Sequence, residues 1–168
     1  MISFWQVFKS LWFVGVIAIV VAVFPILINI LVRKIEEIKW KRWLEKHKAL
    51  EDWKKLGGNG REFEKIVALI FKNSGYKTRV VGGAGDGGID IKAEKDGKRF
   101  FIQCKQMDKV KPDDVRAFWG AIENKIKKGR AEKGFFVTTG IFTDTSEEFV
   151  KDKQIELVDG LKLEKLKK

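Results

Sequence analysis

The residues best equipped for chemistry lie in one stretch, GGAGDGGIDIKAEKDGKRFFIQCK, residues 82–105. In GIDIKAE, Ile89 and Ile91 alternate with Asp90 and Lys92. In RFFIQCK, Phe100, Ile102 and Cys104 alternate with Phe101, Gln103 and Lys105. Alternation of period two predicts two strands, each turning one set of side chains to either face. KDGK between them carries the Asp-Gly pair of a tight type I′ hairpin. Folded together, the strands bring Asp90, Gln103 and Lys105 to one face: a carboxylate, a neutral oxygen ligand and an amine. Oxygen ligands suit a hard divalent cation, Mg²⁺ or Mn²⁺. An adjacent lysine can orient or help deprotonate a water and offset the charge of a phosphate under attack. A plain cross-strand ion pair between Asp90 and Lys105 fits the same alternation.

Around this set, Gly82, Gly83, Gly85, Gly87 and Gly88 surround Asp86. Such a run can cradle phosphate on its amides, or simply permit positive backbone angles, and Asp86 is an ordinary turn residue. The spacing matches neither a P-loop nor a dinucleotide fingerprint, so nucleotide binding of those kinds is excluded. Cys104 is the only cysteine, which rules out an intrachain disulfide framework and a cysteine-rich zinc site. Its place on the apolar strand face assigns it to the core. The single histidine, His47, is far from the hairpin in sequence, which argues against a His-based triad or metal centre.

The elements that must position these residues follow from pattern. Asn59 is expected to cap a helix running to about Asn73, with Phe63, Ile66, Val67, Ile70 and Phe71 as its apolar stripe. Glu64 borders that stripe, where a carboxylate either looks into a site or is an exposed helix-start acid favoured by the dipole. Ser74-Gly75 ends the helix, residues 76–81 are strand-like, and the hairpin follows. Pro112 starts a second helix to about Lys128, with Asp113 and Asp114 in its first turn and Phe118, Ile122 and Ile126 on its buried side. The Lys125, Lys127, Lys128 and Arg130 cluster at its end suits phosphate contact or a helix C-terminus equally. Residues 133–139, KGFFVTT, predict a buried strand. A capping box over 145–148, a last strand over 154–158 and a basic amphipathic tail over 161–168 complete the order α-β-β-β-α-β-α-β. That order is an α/β fold with a mixed central sheet flanked by helices.

The N-terminus reads differently. Residues 11–32, LWFVGVIAIVVAVFPILINILV, carry no charge. As a helix they extend about 33 Å at ~1.5 Å per residue, enough for one transmembrane span. Arg33-Lys34 follows instead of a small-residue cleavage site, which favours a retained anchor over a signal peptide. Trp5 and Trp12 before the span, and Trp40 and Trp43 after it, suit the membrane interfaces. Lys9 is the only basic side chain before the span, whereas Arg33, Lys34, Lys39, Lys41 and Arg42 follow it. The positive-inside bias therefore expects a single-pass protein with its C-terminal side in the cytoplasm. Residues 33–56 read as a charged helical linker, and Gly57-Gly58-Asn59-Gly60 as a break opening a domain over 57–168. The net charge is +11; the domain carries 24 Lys+Arg against 18 Asp+Glu, a balance suited to a polyanionic partner.

GDGGID followed by QCK, with G-R-E-F-E at residues 60–64, resembles the Mrr-like branch of the PD-(D/E)xK nucleases over roughly residues 60–160. The resemblance implies a restriction-endonuclease-like fold and Mg²⁺- or Mn²⁺-dependent hydrolysis of DNA phosphodiesters, in restriction of foreign or modified DNA. Asp90 would be the metal-binding acid, Gln103 the second ligand, Lys105 the catalytic lysine and Glu64 the acid of the preceding helix. Asp86, Gly87 and Gly88 belong to the motif loop, and the Thr138–Thr139 strand end would lie near the site, although strand preference explains those threonines as well. A repair or junction-resolving nuclease of the same fold, or a catalytically silent DNA-binding membrane module, are the alternatives. One chain carries one Asp90/Gln103/Lys105 set, so cutting both strands of a duplex implies a homodimer. The apolar segment stands where a separate DNA-reading domain is expected, which leaves modified-base specificity open.

Overall fold

The computed structural model describes residues 4–46, 50–56, 60–82 and 88–167. The chain divides into two compact units, Met1–Lys39 and Trp40–Lys168.

Helix α1, Phe4–Lys46, contains the whole apolar segment and continues through Pro25. It has no polar face along the segment, and its Val, Ile, Leu and Phe side chains are exposed from Val16 to Val32. Gly15–Lys39 is long and apolar enough to cross a membrane. No separate helix begins at Arg33, because the charged residues after the span simply prolong α1 to Lys46. His47 lies outside the described residues.

The second unit contains α2 (Leu50–Lys54), α3 (Arg61–Asn73), β1 (Lys77–Val80), β2 (Ile91–Lys95), β3 (Lys98–Lys105), β4 (Lys109–Val110), α4 (Pro112–Lys127), β5 (Lys133–Thr138), β6 (Ile141–Phe142), α5 (Asp144–Val150), β7 (Ile155–Val158) and α6 (Gly160–Leu166). Five strands form one sheet in the order β1-β2-β3-β5-β7, and β4 pairs with β6 in a second, two-stranded sheet. β2 pairs antiparallel with β1 and with β3, while β5 pairs parallel with β3 and with β7. The fold is thus the mixed sheet with helices on its faces that the element order predicts. The β4–β6 pair and the helical form of the tail, α6, are additions to it.

Local chemistry explains the elements. The β2–β3 turn pairs Lys95 with Lys98, and Asp96 and Gly97 both take positive φ, 52° and 74°, as a type I′ turn requires. Asn59 lies outside the described residues. α3 is entered through Gly60 at φ 79° with no side-chain cap, so a glycine supplies the left-handed entry where a capping side chain was expected. α3 ends as expected, with Ser74 as its cap and Gly75 at φ 90°. At the start of α5 the Thr143 side chain accepts from Ser146 N.

Two apolar layers sandwich the sheet. On one face Phe63, Ile66, Val67 and Ile70 of α3 pack with Ile91, Ile102, Phe135 and Val137, together with Leu163 of α6 and Trp53 of α2. Trp53 is wholly buried, although it precedes the expected domain start at Gly57. The Gln106 side-chain amide fastens the same segment, donating to the carbonyls of Trp53, Lys54 and Leu56 at 3.2, 2.8 and 2.9 Å. On the other face Val115, Phe118 and Ile122 of α4 pack with Phe101, Phe136, Ile155 and Leu157. The approach of α4 depends on Gly134 in β5. A β-carbon there would lie 2.3 Å from Ile122 Cδ1 and 2.9 Å from Phe118 Cε1.

Candidate active site

Asp90 precedes β2 and is held by its main chain on both sides. Its N–H donates to Ile102 O at 2.9 Å, and its carbonyl accepts from Val81 N and Gly82 N at 2.8 and 3.1 Å. Its carboxylate Oδ2 accepts the main-chain N–H of Cys104 at 2.7 Å. Strict alternation breaks at this point. Ile91 joins the α3-side core, whereas Ile89 joins the α4-side core with Phe101, so the two isoleucines do not share a face. The irregularity frees the Asp90 side chain from the sheet and turns it to the β3 backbone.

Glu64, in the first turn of α3, meets Asp90 across Gly82. A β-carbon at Gly82 would lie 3.0 Å from Glu64 Oε2 and 3.4 Å from Asp90 Oδ1. Burial first, and the Asp90 charge second, hold the Glu64 carboxyl above its ordinary range; Arg61 opposes them and Glu62 adds to them. The two acids are therefore brought into one patch, and Glu64 is not an isolated helix-start acid.

The Gln103 side chain lies against Gly88, whose hypothetical β-carbon would sit 3.1 Å from Nε2. Gly88 takes φ +78°, so a side chain here would meet both strain and the Gln103 amide. Gln103 Oε1 is buried and has no hydrogen-bond partner among the described residues. Such an atom can take a donor from water or an ion; Glu62 Oε2 and Thr139 Oγ1 are in the same condition. Glu64 and Asp90 supply paired carboxylates of the kind a hard divalent cation takes. No cluster of three His, Cys, Asp or Glu side chains occurs among the described residues, so Gln103 would have to complete any such set.

Lys105 ends β3 opposite Thr138 of β5. Its ammonium pairs with the carboxylate of Asp114 in the first turn of α4, not across the hairpin with Asp90. Asp114 was expected only as a helix-start acid. No sequence signal pairs it with Lys105, because the pairing depends on the path of the connection between β3 and α4. Cys104 is half-buried against the α3-side core; burial, then the Asp90 and Glu64 charges, push its thiol well above the usual range. Asp86 and Gly87 lie outside the described residues.

Thr138 ends β5 opposite Lys105, and Thr139 follows it. Both are buried. The Thr138 hydroxyl donates to Met107 O at 3.1 Å and accepts from Gly140 N at 3.3 Å. Thr138 braces the strand end beside Lys105.

The sequence profile of the Mrr_cat restriction endonuclease family matches residues 57–167. The chain belongs to the restriction endonuclease family. A relative is the type IV methyl-directed restriction enzyme EcoKMrr of Escherichia coli strain K12, 34% identical over 111 residues, which cover 60% of this chain and 35% of the relative. The chain thus spans about a third of that enzyme's length. Among solved structures, the MspJI restriction endonuclease in complex with a 27-mer oligonucleotide superposes with a TM-score of 0.54 at 21% identity, over 70% of this chain and 30% of its own. A protein of unknown function, AF1548, superposes at 0.51 with 20% identity, over 58% and 56% of the two chains. These two likenesses concern the fold. The endonuclease family match covers Glu64, Asp90, Gln103, Lys105 and Asp114.

Proposed function

We propose that this restriction endonuclease homologue is a membrane-anchored, Mg²⁺-dependent (or Mn²⁺-dependent) enzyme that hydrolyses DNA phosphodiesters at the cytoplasmic face. The observation that carries the reading is the meeting of the Glu64 and Asp90 carboxylates at Gly82. Glu64, Asp90 and Gln103 would hold the cation. When bound there, it supplies Lewis-acid polarisation of the phosphate and a more acidic water. Asp90 is kept in place by the Cys104 N–H, which orients its carboxylate before a cation binds. Lys105 supplies positive charge to the phosphate and orients the attacking water. The basic balance of the domain attracts the DNA backbone.

The E. coli relative is methyl-directed, which supports restriction of modified or foreign DNA as the biological role. The experiment is incubation of the full chain, in detergent, with linear, supercoiled, methylated and branched DNA, with Mg²⁺ and with EDTA. Cation-dependent cutting favouring methylated DNA is expected. Cutting confined to branched DNA would instead indicate junction resolution, and binding without cutting a catalytically silent module.

The span within α1, followed by Arg33, Lys34, Lys39, Lys41 and Arg42, supports a single-pass anchor with the nuclease domain in the cytoplasm. The full chain should fractionate with membranes, and protease added outside sealed cells should leave the domain intact. Recovery of the chain in the soluble fraction would contradict the anchor.

A further inference from the structure

The geometry points to Asp114 as a positioning residue for Lys105: its carboxylate holds the ammonium of the hairpin lysine between β3 and α4. This inference rests on the reading of Lys105 as part of the catalytic site. Three observations support it. The pair joins two elements, not successive turns of one helix as Arg116–Asp113 and Lys127–Glu123 do. Its carboxylate is also more sheltered than those of two other strand-borne pairs among the described residues: Asp114 is 23% exposed, against 51% for Glu132 and 47% for Glu156.

The third observation is the connection between the partners, which is fastened along its length. Gln106 is bonded to the α2 segment, and Met107 O accepts from Thr138. Asp108 O accepts from Ile141 N at 2.9 Å, Val110 O accepts from Thr143 N at 3.2 Å and from the Ser146 hydroxyl at 3.2 Å, and Asp114 N donates to Lys111 O at 3.2 Å. Pro112 then fixes the first turn of α4. A lysine on a flexible four-carbon stem has many rotamers, and a carboxylate held at a fixed place selects among them. Asp114 therefore acts through Lys105 and need not touch DNA.

The test uses the full chain in detergent and compares Asp114→Asn, Asp114→Glu, Lys105→Ala and the double variant Lys105→Ala/Asp114→Asn. DNA cleavage, DNA binding by anisotropy and thermal midpoint are followed together. Asp114→Asn should lower kcat about 10- to 100-fold with KM and DNA affinity nearly unchanged, since it loosens one catalytic group and removes no binding contact. Asp114→Glu should recover most of that loss. Against the Lys105→Ala background, Asp114→Asn should have no further effect. An inactive Lys105→Ala with a fully active Asp114→Asn would overturn the positioning role while leaving the site reading intact. A fully active Lys105→Ala would overturn both. Loss of activity in Asp114→Asn that tracks a lowered thermal midpoint, and that Asp114→Glu does not restore, would make Asp114 structural only.

Discussion

At Glu64, burial and the neighbouring Asp90 charge both favour the protonated carboxyl. A group whose folded pKa is raised contributes stability that is present below its unfolded pKa and is lost as pH rises through the folded value. The cation-free protein therefore carries the cost of an ionised Glu64 at neutral pH. Glu64→Gln removes that charge at nearly constant shape. Its thermal midpoint in EDTA should exceed the parent's at pH 7, and the gap should close below the ordinary glutamate range. The same variant should gain less from added Mg²⁺ than the parent does. Equal midpoints at pH 7 together with an unchanged Mg²⁺ response would contradict the assignment of Glu64. The hairpin strands that carry Gln103 and Lys105 were legible because alternation and an Asp-Gly turn are local signals. The turn of Asp90 toward Cys104 N, and the choice of Asp114 by Lys105, were not legible, because each depends on a break in regularity or on a connection's path.

Among the elements, two glycines separate packing from site chemistry. Gly134→Ala puts a methyl group into Phe118 and Ile122 and so pushes α4 off β5. It should cost about 1–3 kcal/mol in denaturant unfolding. Gly82→Ala presses first on the Glu64 and Asp90 carboxylates. Its unfolding free energy should stay within about 1 kcal/mol of the parent's, while the Mg²⁺ concentration for half-maximal cleavage rises. The reverse pattern would contradict the placement of these residues. Trp53 supplies a further test, because it is buried beneath the domain although it precedes Gly57. Trp53→Ala should destabilise by about 3–5 kcal/mol in the same assay, and a change under 1 kcal/mol would contradict its burial. The α3 stripe, the hairpin and the β5 strand could be read from period and turn chemistry. The β4–β6 pair could not, since two-residue strands carry no period. Trp53 could not either, since a lone tryptophan in a charged stretch is buried only by long-range packing.

For the molecule as a whole, the apolar segment was legible from length and charge alone, and its helix continues without a break through Pro25 to Lys46. The proposed homodimer follows from one site per chain and two antiparallel DNA strands. Anchoring in a membrane would favour it by confinement. In detergent, double-strand breakage should rise more steeply than linearly with protein concentration while nicking stays linear. First-order double-strand breakage by a chain shown to sediment as a monomer would rule the dimer out. The most direct test of the whole account compares the parent with Lys105→Ala and Asp90→Ala on supercoiled DNA, with Mg²⁺ and with EDTA, while DNA affinity is measured in parallel. The account predicts that the parent cuts only with the cation. Each variant should bind DNA within about threefold of the parent and cut it about 10²–10⁴-fold more slowly. Cutting by either variant at the parent rate would contradict it.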